Sequence, residues 1–268
     1  MSFNLYLVPH DFTAVGDAAL KYAMHIGKRV DTEIHVIHLV DDASKVAIAH
    51  QKLEQIIAGI TPIENVKLKA VAQVGSIFED IGKIARKEGA QLIIMGTHGV
   101  KGMQKLFGSH AMKVITSSNV PFLVVQEQTT TENVGRIIVP IDLTKESLQI
   151  ANIAGDIANM FDADIHVVYE QPSDVVLNQK MNNRISIVQK NYDDRKLRTD
   201  FIALNESGSF QKKVMDYAQK ADGNLIAISY HTDRLLPQFD KFAQTLITND
   251  LMLPCVIINA QAASSLYF

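Results

Sequence analysis

Six residues, Val8-Pro9-His10-Asp11-Phe12-Thr13, return 131 positions later as Val139-Pro140-Ile141-Asp142-Leu143-Thr144. Asp31-Thr32-Glu33-Ile34-His35-Val36 returns at the same offset as Asp162-Ala163-Asp164-Ile165-His166-Val167. A two-residue insertion then moves the offset to 133, where Gln91-Leu92-Ile93-Ile94 faces Asn224-Leu225-Ile226-Ala227 and Pro121-Phe122-Leu123-Val124-Val125 faces Pro254-Cys255-Val256-Ile257-Ile258. Copies of roughly 130 residues have the size of a domain, so the chain is a tandem duplication and not a solenoid of short units. What both copies share is explained by fold. What only one of them keeps points to function.

Within the first copy, short apolar runs alternate with longer segments of helical period. Leu5–Val8 reads as a buried strand ended by Pro9, and Val15, Ala18, Ala19, Tyr22, Ala23 and Ile26 mark one face of a helix over Thr13–Lys28. A strand over Ile34–Val40, a helix from Ser44 to about Ala58 and an alternating strand over Val66–Val74 follow. Gly75-Ser76 is expected to open a helix ending at Glu88, with Gly89 as its stop. Leu92–Met95 is the fourth strand, a helix covers about Ser109–Ser117, and Pro121–Val125 is the fifth strand. The second copy repeats the scheme with strands near 136–141, 163–169, 197–204, 224–229 and 254–258; its polar stretch Asn182–Asp194 is expected to be a helix end or a mobile connection. Strands that are apolar on both faces and alternate with helices predict a parallel sheet covered on both sides. Right-handed crossovers make each copy a doubly wound, Rossmann-like α/β domain. The expected domains are 1–127 and 134–261, joined by the polar linker Gln126–Gly135.

Charge excludes one class of partner. Residues 1–128 carry 13 Lys+Arg against 12 Asp+Glu, and the remainder 13 against 17, so neither half has the basic excess of a nucleic-acid face. The single cysteine, Cys255, rules out an intrachain disulfide. No apolar stretch reaches 18 residues, and Met1–Leu5 does not read as a signal peptide, so the expectation is a cytoplasmic protein with no membrane contact.

In a sheet of this kind ligands bind beyond the carboxyl ends of the strands, where the strand order reverses. Pro9-His10-Asp11-Phe12-Thr13, Leu39-Val40-Asp41 and Gly96-Thr97-His98-Gly99-Val100-Lys101-Gly102 should meet there, followed by Gly108-Ser109. Glycines admit close backbone approach, and a Gly-Ser pair opening a helix offers N–H groups, a hydroxyl and the positive end of the dipole to a phosphate. In the second copy Gly96, Gly99, Gly102, Gly108 and Ser109 are faced by Ser229, Thr232, Leu235, Lys241 and Phe242. A loop forced by the fold alone would need its glycines twice, so the set reads as tied to a ligand in the first copy.

The paired strand signatures, Pro-x-Asp after the first strand, and Gly-Thr-His-Gly…Gly-Ser before Pro-x-Leu-Val-Val resemble the universal stress protein family, in a tandem form with two such domains. The resemblance implies five-stranded sheets of order 3-2-1-4-5, an internal pseudo-dimer paired through the last strands, and a stress-response regulatory role without evident catalysis. It leaves a homodimer of whole chains open. The implied ligand is an adenine nucleotide, ATP or AMP, with Mg accompanying it. Nucleotide-binding members space Gly, two residues, Gly, nine residues, then Gly-Ser or Gly-Thr; here eight residues, Val100–Phe107, separate Gly99 from Gly108. Carried over position by position, Pro9 and Asp11 would lie at the ribose and adenine side, with Val40 offering backbone to the adenine edge. Gly96, His98 and Gly99 would lie by the ribose and phosphates, and Gly108, Ser109 and His110 at the phosphates. For Asp11 an N-cap to the helix near Thr13 competes with ligand contact, because Asp142 recurs in the second copy.

Other candidates carry less. His98 and its counterpart His231 have no nucleophile and carboxylate at recognisable spacing, and His35, His38 and His166 read as packed strand imidazoles. No zinc spacing, P-loop or dinucleotide-binding glycine pattern is present. A nucleotide-independent scaffold of the same fold and a slow nucleotide hydrolase remain alternatives to the nucleotide-binding module.

Overall fold

A computed structural model describes residues 4–97, 112–129, 134–144, 146–230 and 241–259. The first half runs β1 (Asn4–Pro9), α1 (Ala14–Gly27), β2 (Thr32–Val40), a 3-10 turn (Ala43–Lys45), α2 (Val46–Ala58), β3 (Val66–Val74), α3 (Ile81–Glu88), β4 (Leu92–Thr97), a helical turn at 112–115, and β5 (Phe122–Gln126). The second half runs β6 (Arg136–Ile141), α4 (Glu146–Phe161), β7 (Asp164–Tyr169), α5 (Val175–Asp194), β8 (Thr199–Ala203), α6 (Phe210–Lys220), β9 (Leu225–Tyr230), α7 (Lys241–Ile247) and β10 (Cys255–Asn259).

All ten strands form one sheet in the order β3-β2-β1-β4-β5-β10-β9-β6-β7-β8. Read from its outer edge inward, each half has the order 3-2-1-4-5 with parallel neighbours, the order that the family resemblance implied. The halves join through their last strands, antiparallel, with Leu123 opposite Val256 and Phe122 opposite Ile257. Every residue of β5 and β10 is buried, so this junction lies in the interior and is not an edge. Two hydrogen bonds related by the 133-residue offset lock it: Gln126 Nε2 donates to the Asn249 carbonyl (2.8 Å) and Asn259 Nδ2 to the Thr116 carbonyl (2.9 Å).

A core lies on each face of the sheet, and both cross the junction. One packs α1 and α4 against Tyr6, Val8, Leu123, Ile137, Val139 and Val256. The other joins Leu7, Ile93, Phe122 and Ile115 to Ile138, Ile226, Leu246 and Ile257. Strand residues alternate between these two cores, which is why the strands read as continuous apolar runs.

One local expectation needs correction, and a second is decided between its two alternatives. Residues 77–80 form turns before α3 starts at Ile81, because the Asp80 carboxylate accepts from the Ser76 N–H (2.9 Å) and holds that segment in a loop. Asn182–Asp194 forms the C-terminal part of the 20-residue α5, so of the two alternatives it is the helix end and not a connection. Its polar composition belongs to an exposed face, while Met181, Val188 and Tyr192 are buried and the Tyr192 hydroxyl donates to the Ala151 carbonyl (2.8 Å). Gly89 does stop α3, at φ 75°. Among the described residues no helix is long and apolar enough to cross a membrane.

Candidate functional site

At the carboxyl end of β1 the parallel ladder continues one residue past Pro9, with the His10 N–H donating to the Ile37 carbonyl (2.8 Å). This draws His10 into the interior, where it is 3% exposed. Its Nδ1 accepts from the Phe12 N–H (3.0 Å) and its Nε2 lies 3.2 Å from Asp17 Oδ1 on the first turn of α1. An Nδ1 that accepts leaves the proton on Nε2, a tautomer assigned from these bonds. His38 closes the ring of contacts: its Nδ1 donates to the His10 carbonyl (2.7 Å) and its imidazole lies 4.3 Å from the Phe12 ring.

These bonds bend the chain sharply. Phe12 takes φ 64°, a left-handed conformation that costs a bulky residue about 1–3 kcal/mol. Its counterpart Leu143 is not among the residues with positive φ, so the strain belongs to the first half. The bend carries Asp11 to an exposed position, where Oδ1 accepts from the Thr13 N–H (3.1 Å) and hydroxyl (2.6 Å). Asp11 Oδ2 has no partner among the described residues. Both readings of Asp11 therefore keep support: one oxygen braces the start of α1, and the other is available at the surface.

Behind this bend lies a cleft of about 310 Å³, lined by Pro9, His10, Asp11 and Gly16, by Ile37–Leu39 of β2, by Ile77 and Phe78, and by Met95–Thr97 of β4. It sits between the carboxyl ends of β1 and β4, where the strand order reverses. Lys113 Nζ lies 4.9 Å from the centroid of the Phe78 ring, which places a cation beside an aromatic residue of the cleft, and Lys52 Nζ lies 5.4 Å from the centroid of the Phe12 ring in the bend.

Of the nine residues singled out in the sequence, the structure brings Pro9, Asp11 and Gly96 together on this cleft. Val40 is not among its lining residues; its carbonyl accepts from the Gly75 N–H (2.9 Å) and it is 7% exposed, so Ile37, His38 and Leu39 supply that wall instead. His98, Gly99, Gly108, Ser109 and His110 lie outside the described residues. Gly96 acquires a packing reason that the repeat comparison did not supply. A Cβ there would stand 2.2 Å from the Val15 carbonyl oxygen, so α1 presses backbone to backbone on β4.

His10, placed in the sequence only within the segment Pro9–Thr13, His38, expected to be a packed imidazole, and Gly16 and Phe78, not singled out there, also line the cleft. For three of them the signal was available at the 131-residue offset, where His10 faces Ile141, Gly16 faces Ser147 and His38 faces Tyr169. The Gly16 exchange has a visible consequence. A Cβ at Gly16 would lie 3.0 Å from His10 Nδ1 and 3.1 Å from Asp11 Oδ1. In the second half the buried Ser147 occupies that position and, with Thr144, donates a hydroxyl to Asp142 Oδ1. Nearby, Glu170, which faces Leu39 in the repeat, is tied to Lys213 at 2.6 Å. The second half thus fills its corresponding corner with hydroxyls and an ion pair.

The other strand histidines behave as packed imidazoles. His35 lies between Glu88 (2.6 Å) and Glu33 (2.7 Å), and His166 meets the Tyr217 hydroxyl at 2.8 Å. Burial, helped by nearby Arg136 and opposed by Asp200 and Asp164, holds the His166 pKa below the ordinary histidine value.

Comparison with known proteins places this geometry in a wider set. The model of the universal stress protein family matches residues 6–126. A universal stress protein of Methanocaldococcus jannaschii is 30% identical over 143 residues, covering 46% of this chain and 84% of the relative. A second from the same organism is 27% identical over 159 residues, covering 47% of this chain and 96% of that one. Among solved structures, a universal stress protein from Archaeoglobus fulgidus superposes along 97% of this chain and 100% of its own, with a TM-score of 0.74 at 16% identity. That likeness carries the fold of both halves together.

Proposed function

This chain belongs to the universal stress protein family, and on that premise we propose that its first half is a regulatory module binding an adenine nucleotide, ATP or AMP, in the cleft between β1 and β4. The observation that carries this reading is the contrast between Gly16 and Ser147. With no side chain at 16, the bend that holds Asp11 stays open; a hydroxyl at 147 closes its counterpart onto Asp142. Asp11 Oδ2 is a charged acceptor suited to a ribose hydroxyl. The apolar walls from Ile37, Leu39, Ile77 and Phe78 suit a flat base, and the Gly96 end of the cleft leads in sequence to the glycine run ending in Gly108-Ser109.

Among the described residues no group of three or more His, Cys, Asp or Glu side chains could hold a metal ion. Mg arriving with a nucleotide would be held chiefly by phosphate oxygens and water, which is how this ion is usually carried. The module binds and does not turn over its ligand, and a cytoplasmic setting belongs to the same reading. The second half serves as a structural and partner-facing unit. Val175, Val176 and Leu177, at 82%, 62% and 41% exposure, favour contact with another macromolecule there as a second reading.

Calorimetry of the full chain against ATP and AMP tests the proposal. Saturable heat is expected from the wild type, and an affinity lower by at least tenfold from Asp11→Asn. Absence of heat with either nucleotide at millimolar concentration would refute it.

A further inference from the structure

A second cavity, of about 350 Å³, lies at the opposite end of the strands, on the junction between the halves. Its lining pairs residues related by the repeat: Tyr22 with Ile153, Ile26 with Ile157, Leu92 with Leu225, and Leu123 with Val256. The cavity therefore straddles the pseudo-twofold axis, roofed by α1 and α4 and floored by the continuous sheet. Its volume falls in the usual range for small-molecule pockets, about 300–1,000 Å³.

The chemistry of the lining is one-sided. Aliphatic side chains and the rings of Tyr6, Tyr22 and Phe161 dominate, and the one carboxylate among the described lining residues, Asp156, is committed to Arg195 at 2.6 Å. Polar groups gather at the more exposed positions, Asn4, Gln91, Asn119 and Asp156. Inside, the first half supplies two phenols, Tyr6 and Tyr22, and the counterpart of Tyr22 in the second half is Ile153. Tyr6 spends its hydroxyl on Met160 Sδ (3.5 Å) and on Thr32. Tyr22 is 2% exposed and its hydroxyl hydrogen-bonds to no described residue. Burial raises its pKa, so the phenol stays neutral and can both donate and accept. Although the residue is buried, its hydroxyl oxygen is not among the fully enclosed unpaired atoms, so it keeps access to the cavity and can take a polar partner there.

We propose that this junction cavity is a binding site for an uncharged aromatic small molecule carrying one hydrogen-bonding group, which pairs with the Tyr22 hydroxyl while the rings fill the apolar space between α1 and α4. A charged ligand is disfavoured, since among the described residues no free counter-ion lines the cavity and an ion in such surroundings loses its hydration without compensation. The site is distinct from the nucleotide cleft and does not rest on it. Because its walls come from both halves, occupation ties one to the other.

Titration of the full chain with N-phenyl-1-naphthylamine, a neutral fluorophore with a single N–H, reads the site directly. Saturable fluorescence enhancement at one probe per chain is expected, undisturbed by excess ATP. Ile157→Trp, at a partly exposed wall position, should abolish it, and Met160→Trp serves the same end if the first variant melts early. Tyr22→Phe should weaken binding about 2- to 10-fold while circular dichroism and melting stay near wild type. Non-saturable binding, full affinity in either cavity-filling variant or in Tyr22→Phe, or displacement by ATP would each overturn the proposal.

Discussion

Replacing Gly16 with serine would give the first half the feature that closes the second. Two effects on the unliganded protein oppose one another. Gly16 lies in α1, where exchanging glycine for serine gains about 0.5 kcal/mol of helix propensity. The added Cβ would meet His10 Nδ1 at 3.0 Å, and His10 Cε1 and Asp11 Oδ1 at 3.1 Å, so these atoms must yield by a few tenths of an ångström. Tight insertions of that kind cost on the order of 1 kcal/mol. Net stability should therefore change by less than about 1 kcal/mol, or roughly 2–4 °C in Tm for a protein of this size. The effect on nucleotide binding should be far larger. The new hydroxyl would donate to Asp11 Oδ1, as Ser147 does to Asp142 Oδ1, and its side chain would enter the cleft that Gly16 lines, drawing the carboxylate toward α1 and its Oδ2 away from the ligand. A charge-assisted hydrogen bond withdrawn from the ligand is worth about 1.5–3 kcal/mol, which is roughly 10- to 150-fold in Kd. Calorimetry gives Kd, and scanning fluorimetry of the unliganded protein gives Tm. If Gly16→Ser binds ATP like the wild type while Asp11→Asn does not, the open corner is not what admits the ligand.

Further expectations concern the frame around the site. A Cβ at Gly82 would stand 2.7 Å from Ser118 Cβ and 2.8 Å from the Ser117 carbonyl oxygen, so Gly82→Ala should destabilise by about 1–3 kcal/mol. Gly89→Ala meets nothing within 4 Å and should lose only the left-handed strain at φ 75°, about 1–2 kcal/mol; chemical denaturation would sink the packing argument if Gly82→Ala were the milder of the two. His166 has a folded pKa below its unfolded value of about 6.5, so folding binds fewer protons than unfolding and stability should fall as pH drops through 6.5 and below. His166→Phe should flatten the decline of Tm between about pH 7 and 5.5; an unchanged slope would assign that decline to other groups.

Much of the architecture was legible because it rests on periodicity. Apolar runs at Leu5–Val8 and Leu92–Met95 must be buried on both faces, and the duplicated signatures force the same sheet twice. Gly89 was legible as a stop because its left-handed φ is a local requirement. The start of α3 was not, since the Asp80 carboxylate that holds the loop acts across four residues on a backbone N–H. Asn182–Asp194 left a helix end and a mobile connection undecided because its composition describes the solvent face, whereas the helix is held by three buried residues and one hydroxyl reaching Ala151. At the site, Pro9, Asp11 and Gly96 were marked by type and place, but Val40 was displaced by its neighbours because its carbonyl is spent on Gly75.

Taken alone, the order of residues determined the duplication, the strand sequence of each half, and which half kept the glycine set from Gly96 to Gly108, because all three follow from local pattern and from comparing one copy with the other. Only the tertiary structure decided that Gly96 answers to the Val15 carbonyl, that the strain falls on Phe12, and that Tyr22 faces a cavity shared by both halves. Those facts depend on distances between segments far apart in the chain. Such distances are set by how whole layers pack and not by the residues taken one at a time.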